Sequence, residues 1–257
     1  MPHSFRQSLA VNTSTPANPQ LPLCHVASCR TILDFIENGV VSTDEICDVF
    51  GEKLNYFFYG RAAYRPKDSS KTNVVIAAPA ALIIAPDAIA APFSVYPFDT
   101  GGFPRYGPSA DGHKLTDFAM REEITECERV IERHWQSYGD YIRADLDGFM
   151  RRLDPDCPAV ECYSAIVRDA DPDAADDRRS SLEVTSLTDV PIDASNILGI
   201  VLPRQYADNS AIRSLQSQGV CVQKYQYMQQ QRSGLMSVVL EYACSMVQDL
   251  HQTLKVA

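Results

Sequence analysis

Four consecutive aromatic residues, Tyr56 to Tyr59, constrain the fold more than any other stretch of this sequence. Aromatic residues favour strands, and strand alternation sends Tyr56 and Phe58 to one face and Phe57 and Tyr59 to the other. Gly60 ends or bulges this strand and lets another backbone or a ligand approach closely. The sequence therefore predicts a strand here, and two interpretations stay open: a strand at a binding site, or an aromatic core strand.

Arginines follow the aromatic strand at positions 61 and 65. Arg61 and Arg65 are fixed cations whose planar donor fork suits phosphate or carboxylate groups. Other arginines recur later, so one interpretation is a local anionic site lined by several of them, and the alternative is a set of solvated surface residues. The set comprises Arg61, Arg65, Arg105, Arg178 and Arg179.

Length and charge limit the classes of protein to consider. The chain has 257 residues, 45% of them hydrophobic, which is enough for one large domain with a substantial core. Residues 1–20 lack apolar periodicity, so we expect a disordered or loosely attached arm there and a single domain over residues 21–257. The net charge of −10 opposes non-specific adhesion to nucleic acid or to an anionic membrane.

Targeting segments, disulfides and metal sites are not expected. The N-terminal residues contain no apolar run typical of a signal peptide, and no stretch resembles a membrane span, which predicts a cytoplasmic protein without a membrane partner. Several of the eight cysteines fall inside apolar runs, as small hydrophobic residues do. Neither Cys24 with Cys29 nor Cys157 with Cys162 has close spacing with paired histidines, so no metal ligand set is predicted.

Helix signals recur along the chain. Ser28 and Gly39 are residue types that cap the two ends of a helix over 31–37. Residues 42–45 have capping-box spacing, which predicts a second short helix that ends at Gly51. Apolar periodicity or a capping residue predicts further helices at 115–134, at 138–152, after Asp208 or Asn209, and at 235–254.

Strand signals separate these helices. Runs of β-branched and aromatic residues predict strands at 21–26, 56–59, 74–89 (one or two strands), 159–167, 180–187, 196–202 and 220–227. Residues 95–104 are expected to form a strand that leads into an ordered loop near a site. Asp99 in that loop is expected to cap it rather than to act in catalysis. The aspartates between 169 and 179 predict a solvated acidic loop.

Three residues occur in an order that is known from one enzyme family. His25 lies on the first predicted strand, Tyr59 on the aromatic strand and Glu183 on a late strand. This order resembles the His-Tyr-Glu class of the ADP-ribosyltransferase superfamily. Residues 182–203, with the glutamate strand, a Val-Pro turn and the following strand, form the stronger half of the resemblance.

The resemblance implies an α+β fold with a split, twisted, mainly antiparallel β-sheet core, flanking helices and a long C-terminal helix. It also implies that NAD is the substrate, that ADP-ribose passes to a macromolecular acceptor (protein or nucleic acid) or to water, and that no metal takes part. In that family the histidine binds the ribose, the tyrosine stacks on nicotinamide and the glutamate holds the ribose 2′-hydroxyl. These roles fall on His25, Tyr59 and Glu183.

The remaining contacts to NAD are assigned in the same way. Ser28 is the candidate for the hydroxyl that follows the family's histidine, and Tyr64 is the alternative stacking residue. Arg61 and Arg65 are the candidates for the pyrophosphate. The residue types suit the chemistry independently of the resemblance, because a flat cationic ring favours an aromatic face and a pyrophosphate favours arginine.

Two other functions remain as alternatives. A protein of this fold can serve as a non-catalytic module that binds NAD or another protein. A Cys-His hydrolase is the other alternative, because the chain supplies candidate nucleophiles and bases. The candidates for that pair are Cys24 or Cys162 with His113 or His134.

Overall fold

A β-sheet that draws strands from most of the chain is the central element of the structure. The computed structural model describes residues 4–9, 20–63, 73–106, 110–168, 177–228 and 232–256. The strands in these ranges are β1 (Leu23–Ser28), β2 (Val40–Val41), β3 (Asn55–Tyr59), β4 (Pro79–Ile84), β5 (Ser94–Tyr96), β6 (Glu183–Ser186), β7 (Val190–Pro191), β8 (Ile197–Pro203) and β9 (Cys221–Tyr225). The helices are α1 (Phe5–Leu9), α2 (Cys29–Asn38), α3 (Phe103–Tyr106), α4 (Thr125–His134), α5 (Tyr138–Arg143), α6 (Pro158–Arg168), α7 (Ser210–Ser217) and α8 (Arg232–Val256).

Within the described ranges, seven strands form one sheet in the order β5-β6-β3-β1-β4-β8-β9. Neighbouring strands are antiparallel except β8 and β9, which are parallel. β2 and β7 form a separate two-stranded sheet. Because helices flank this mainly antiparallel sheet and the chain ends in a long helix, the predicted α+β class is confirmed.

The large sheet is split between β1 and β3. β1 pairs with β4 along its whole length. With β3 it pairs only where Leu23 lies opposite Tyr59 and where Cys24 lies opposite Phe58. Beyond Cys24 the two strands no longer form a ladder. The predicted split is therefore present, and it opens at His25.

The core is centred on β4. Every residue of this strand is buried, and since successive side chains point to opposite faces, both faces of the sheet are covered there. α2 and α8 pack against β4. In the neighbouring strand β8, a Cβ atom at Gly199 would clash with the Met246 side chain of α8, so this glycine permits a close approach of helix and sheet.

Helix α2 has both predicted caps. Ser28 Oγ accepts a hydrogen bond from the Thr31 N–H at 3.2 Å, which satisfies one of the free amides of the first turn. Gly39 ends the helix with a left-handed φ of 73° that a side chain would strain, and its N–H donates to the carbonyls of Ile36 and Phe35. These local signals therefore fix the helix that follows β1.

The late part of the chain also follows the sequence patterns. The strands predicted at 180–187, 196–202 and 220–227 correspond to β6, β8 and β9, and the predicted C-terminal helix is α8. Asn209 caps α7, since its Oδ1 accepts from the Ala211 N–H at 2.9 Å. Of the helices that the structure describes, none is long and apolar enough to span a bilayer. Residues 169–176 of the predicted acidic loop lie outside the described residues.

The short helix predicted before Gly51 is wrong. Residues 46–53 form a turn instead, closed by a bridge between Ile46 and Lys53. The Gly51 N–H donates to the Cys47 carbonyl at 2.8 Å. A helix here would have to bury Ile46 and Val49, but these side chains are 64% and 41% exposed.

Three predictions between residues 115 and 168 need correction. The strand predicted at 159–167 is the helix α6, whose apolar residues recur at helical spacing and are buried on one side. The helix predicted at 115–134 consists of a 3₁₀ turn at Leu115–Phe118 followed by α4. The helix predicted at 138–152 ends at Arg143, because Ala144 adopts a left-handed conformation.

Part of the predicted N-terminal arm packs into the core. Residues 5–9 form α1, in which Phe5 is fully buried and Leu9 is 1% exposed. The Phe5 ring contacts the rings of Phe118 and Tyr163, with centroid distances of 6.1 and 5.3 Å. The expectation of a loose arm does not describe these residues. Residues 1–3 and 10–19 of that arm lie outside the described residues.

Phe5→Ala is expected to lower the free energy of unfolding by about 3 kcal/mol, because it leaves a cavity beside the rings of Phe118 and Tyr163. Urea unfolding of the full chain measures the change. Arg6→Ala, on the exposed side of the same helix, is the matched control. If Phe5→Ala unfolds at the same urea concentration as Arg6→Ala, α1 does not contribute to the core.

Candidate active site at the split of the sheet

His25 lies where the split between β1 and β3 begins. Its Nδ1 lies 2.8 Å from the Tyr56 carbonyl oxygen. A carbonyl only accepts, so Nδ1 carries the proton and Nε2 is the acceptor. The rings of Phe35 and Phe57 lie 5.6 and 5.7 Å from the imidazole. Burial lowers the pKa of His25, which keeps the imidazole neutral at pH 7.

Ser28 lies at the far end of β1, where its hydroxyl serves α2. Besides capping the Thr31 N–H, its Oγ lies 2.9 Å from Thr31 Oγ1. The structure thus gives Ser28 a local role in holding the β1–α2 junction. Its predicted contact with NAD stays a prediction.

Glu183 is the first residue of β6 and is 1% exposed. Thr100 holds both oxygens of its carboxyl group: the Thr100 N–H donates to Oε2 at 3.1 Å and the Thr100 hydroxyl to Oε1 at 2.7 Å. Burial and the neighbouring Asp99 raise the pKa of Glu183 well above its ordinary value, while the bonds from Thr100 oppose this rise. The structure therefore presents a buried carboxyl group with a fixed orientation.

Asp99 caps its loop, as predicted, and it also forms an ion pair. Its Oδ1 accepts from the Gly101 N–H at 3.0 Å. Its Oδ2 forms an ion pair with Arg178 Nη1 at 2.8 Å. The Asp99 N–H also donates to the Arg178 carbonyl at 3.1 Å. The loop after β5 is thus tied to the segment before β6, beside Glu183.

Tyr56 lies on β3, between the strands that carry His25 and Glu183. In the register of the sheet Glu183 lies opposite Phe58 and Tyr96, so its side chain shares a face with these residues and with Tyr56. The half-buried Tyr56 hydroxyl donates to Cys47 Sγ at 2.5 Å. Two strand spacings, roughly 10 Å, separate β1 from β6. His25 and Glu183 therefore lie on strands that flank β3.

The turn of residues 46–53 covers this face of the sheet. The ring of Phe50 lies 5.8 Å from Phe93 and 5.9 Å from Tyr96, centroid to centroid. Cys47 accepts the bond from Tyr56. The turn therefore packs over the aromatic residues that surround Glu183.

Tyr59 lies in the core. Its ring is fully buried, its hydroxyl donates to Glu128 Oε1 at 3.0 Å, and the Leu21 N–H donates to that hydroxyl at 2.9 Å. A ring without exposed surface offers no face to a ligand in this conformation. The structure thus favours the core interpretation of Tyr59. The alternative stacking residue, Tyr64, lies outside the described residues.

Glu128 makes stability depend on pH. Burial raises its pKa to about 7, above the value of an unfolded chain. The folded protein therefore keeps a proton that the unfolded chain releases, so the stabilisation is present at low pH and is lost as pH rises through about 7.

Glu128→Gln is expected to reduce this loss by roughly 2 kcal/mol between pH 5 and pH 8, because the amide oxygen still accepts from Tyr59 but cannot ionise. Urea unfolding at the two pH values measures it, with the exposed Glu122→Gln as the control. Equal pH dependence in both variants would contradict the role of Glu128.

The candidate arginines lie in different environments. Arg61 is buried, with Nη1 donating to Ser180 Oγ at 3.1 Å and to the Tyr141 carbonyl at 3.4 Å. Its guanidinium lies 5.7 Å from the centre of the Tyr141 ring. Arg178 pairs with Asp99, while Arg105 is exposed and Arg179 half-buried. Arg65 lies outside the described residues.

A cavity of about 380 Å³ lies elsewhere, between α5 and α8. Its lining includes Tyr138, Arg143, Gln248 and His251, and it includes none of the candidate site residues. Among the described residues, no group of three or more His, Cys, Asp or Glu side chains is arranged to hold a metal ion.

The environments of the candidate cysteines and histidines do not favour a Cys-His hydrolase. A thiol nucleophile acts as a thiolate, but burial raises the pKa of both Cys24 and Cys162. Burial lowers the pKa of His134 to about 3, and its ring stacks in the core against Phe149. His113 Nδ1 lies 3.3 Å from Asp117.

Comparison with known proteins gives a distant likeness in fold. No protein-family model matches the chain, and no curated protein matches it. Among solved structures, the chain is similar to the DarT protein of Thermus sp. 2.9, which was solved in complex with carba-NAD+. The two share 10% sequence identity with a TM-score of 0.37, and the likeness covers 82% of this chain and 100% of that chain.

Sequence reasoning missed the partners of Glu183. The loop of residues 95–104 was expected near a site, but the sequence does not indicate that Thr100 contacts a residue 83 positions away. Nor does it indicate that Arg178 pairs with Asp99. For Tyr56 the sequence indicates only a place in the aromatic strand, on the face opposite to Tyr59.

Proposed function

We propose that this protein cleaves NAD between nicotinamide and ribose and transfers ADP-ribose to a macromolecular acceptor or to water. The proposal depends mainly on the buried carboxyl group of Glu183, which two bonds from Thr100 orient beside the split of the sheet. A carboxylate that is fixed before the reaction needs no reorganisation when positive charge develops on the ribose. The resemblance of residues 182–203 to a glutamate strand supports the same role.

In the proposed reaction the bond between ribose C1′ and the pyridinium nitrogen breaks. Its electron pair passes to the nicotinamide ring, which leaves as a neutral molecule. The ribose becomes oxocarbenium-like, and the Glu183 carboxylate stabilises it through the 2′-hydroxyl. An oxygen or nitrogen of the acceptor then bonds to C1′ and loses its proton. NAD is itself the substrate, and this balance requires no metal ion.

His25 and Tyr56 are the proposed contacts to the nicotinamide riboside part of NAD. Because Nδ1 of His25 donates to the Tyr56 carbonyl, Nε2 is the atom that accepts from a ribose hydroxyl. Tyr56 is half-buried and shares the face of Glu183, so its ring suits stacking on a cationic ring better than that of Tyr59.

The pyrophosphate is assigned to arginine. Arg61 is 1% exposed and bonds to Ser180 and the Tyr141 carbonyl, so it supplies positive charge from the interior. Arg65, which follows Tyr64 in the chain, is the proposed direct contact. Ser28 completes the proposed set on the β1 side of the split. We therefore propose that NAD lies across the split, with its reactive ribose between His25 and Glu183.

Mass spectrometry of the full chain with NAD tests the proposal. We expect free nicotinamide, together with either free ADP-ribose or the mass of ADP-ribose on added protein or DNA. The acceptor that gains mass identifies the substrate class. The proposed reaction is excluded if NAD raises the melting temperature while no nicotinamide forms in any mixture.

That second result would identify a non-catalytic NAD-binding module. One observation favours this alternative: Glu183 is only 1% exposed, and the turn of residues 46–53 packs over its face. For catalysis the turn must move to admit NAD. A module that binds NAD only at the surface of the split, without contact to Glu183, needs no such movement.

A further inference from the structure

We propose that Asp99 and Glu183 form a carboxyl pair that shares one proton, so that Asp99 is a positioning residue that controls the charge of Glu183. This inference rests on the proposed function of Glu183. Asp99 and Thr100 are neighbours in the loop after β5. Thr100 fixes the Glu183 carboxyl with two hydrogen bonds, so the adjacent Asp99 lies beside the same group. Apart from the ion pair with Arg178, no donor among the described residues bonds to the buried Asp99 Oδ2.

Among the described residues, Arg178 is the cation that contacts the pair. Arg178, from the segment before β6, lies 2.8 Å from Asp99. From the neighbouring strands, Tyr56 of β3 and Tyr96 of β5 face Glu183, and burial together with the charge of Glu183 raises the pKa of both tyrosines, so they stay neutral. Asp99 is 7% and Glu183 1% exposed. A single negative charge on the pair is therefore balanced, and a second is not.

The position of Arg178 determines where the shared proton lies. Its guanidinium contacts Asp99, so the proton stays on Glu183, which donates it to Asp99. Glu183 becomes a carboxylate only when that proton leaves for solvent. Cleavage of NAD requires this second ionisation, so the rate of nicotinamide release should rise with pH.

Two substitutions shift the second ionisation in opposite directions. Asp99→Asn keeps an oxygen for the Gly101 N–H but removes the neighbouring charge, so Glu183 should ionise at a pH lower by about one unit or more. Arg178→Gln removes the counter-charge, so the pair should hold its proton to a higher pH. The exposed Asp87→Asn makes the same chemical change as Asp99→Asn and should leave the titration unchanged.

Carbon-13 NMR of the side-chain carboxyl groups follows this titration on the full chain without NAD. The Glu183 signal is identified by its loss in Glu183→Gln. The proposal predicts a downward shift of its midpoint in Asp99→Asn and an upward shift in Arg178→Gln. The pair is disproved if Glu183 titrates alike in wild type and Asp99→Asn, or if the two variants shift it in the same direction. If Asp99→Asn does not fold, the Arg178→Gln variant decides: an upward shift of the Glu183 midpoint supports the pair, and an unchanged or lower midpoint disproves it.

The rate of nicotinamide release against pH separates this inference from the proposed function. If the proposed reaction and the carboxyl pair are both correct, the pH range over which the rate rises shifts in each variant together with the NMR midpoint of Glu183. Opposite NMR shifts without any nicotinamide release support the carboxyl pair and overturn the proposed reaction. Nicotinamide release with a rising limb that Asp99→Asn does not move supports the reaction and overturns the pair.

Discussion

Glu183→Gln should lower the rate of nicotinamide release by about 100-fold or more while the fold and the affinity for NAD stay close to wild type. The amide oxygen accepts from the Thr100 N–H, and the Thr100 hydroxyl can rotate to accept from the amide NH2, so the side chain keeps its place. It carries no charge, however, and the carboxylate acts mainly on the positive charge that appears in the transition state. The loss should therefore appear in kcat rather than in binding.

Chromatographic assay of nicotinamide at saturating NAD measures the effect. Glu122→Gln makes the same chemical change on an exposed residue and should keep full activity. Thermal melting with NAD confirms that the Glu183 variant still binds. A rate within about three-fold of wild type would remove Glu183 from the mechanism and leave the proposed reaction without its carboxylate.

Elements with strong local signals could be predicted from the sequence. The aromatic run forms β3 because bulky side chains suit a strand, and the Ser28 and Gly39 caps define α2 because their hydrogen bonds are local. The helix predicted before Gly51 is absent. A capping-box pattern marks only where a helix can begin, and the helix also needs apolar residues that pack on the core, whereas Ile46 is exposed. The β-branched residues of α6 favour a strand by type. Their spacing, however, lets a helix bury them on one side, and the segment is helical.

The candidate site could be predicted only in part. Glu183 and His25 come from local patterns in single strands. Thr100 and Arg178, which orient and balance the carboxyl groups, approach through sheet pairing between distant segments. Alternation separates Tyr56 from Tyr59, but which face of β3 the core covers depends on helices elsewhere in the chain. The burial of Tyr59 follows from this non-local packing, so the sequence alone does not indicate which tyrosine of β3 stays accessible.

Tyr59→Ala should lower the free energy of unfolding by about 4–5 kcal/mol. The substitution empties a fully buried site and leaves Glu128 and the Leu21 N–H without their shared hydroxyl. Tyr59→Phe keeps the ring and removes only the hydroxyl, so its cost should be about 1–3 kcal/mol. Urea unfolding of both variants separates the ring's contribution from the hydrogen bonds.

Isothermal titration with NAD then decides which tyrosine serves the ligand. Tyr59→Phe should bind NAD as wild type does, because the Tyr59 ring is enclosed by the core. Tyr56→Ala should weaken binding by about 1–3 kcal/mol if its half-buried ring stacks on nicotinamide. The assignment reverses if Tyr59→Phe weakens NAD while Tyr56→Ala does not, because NAD would then bind a conformation in which the core around Glu128 has opened.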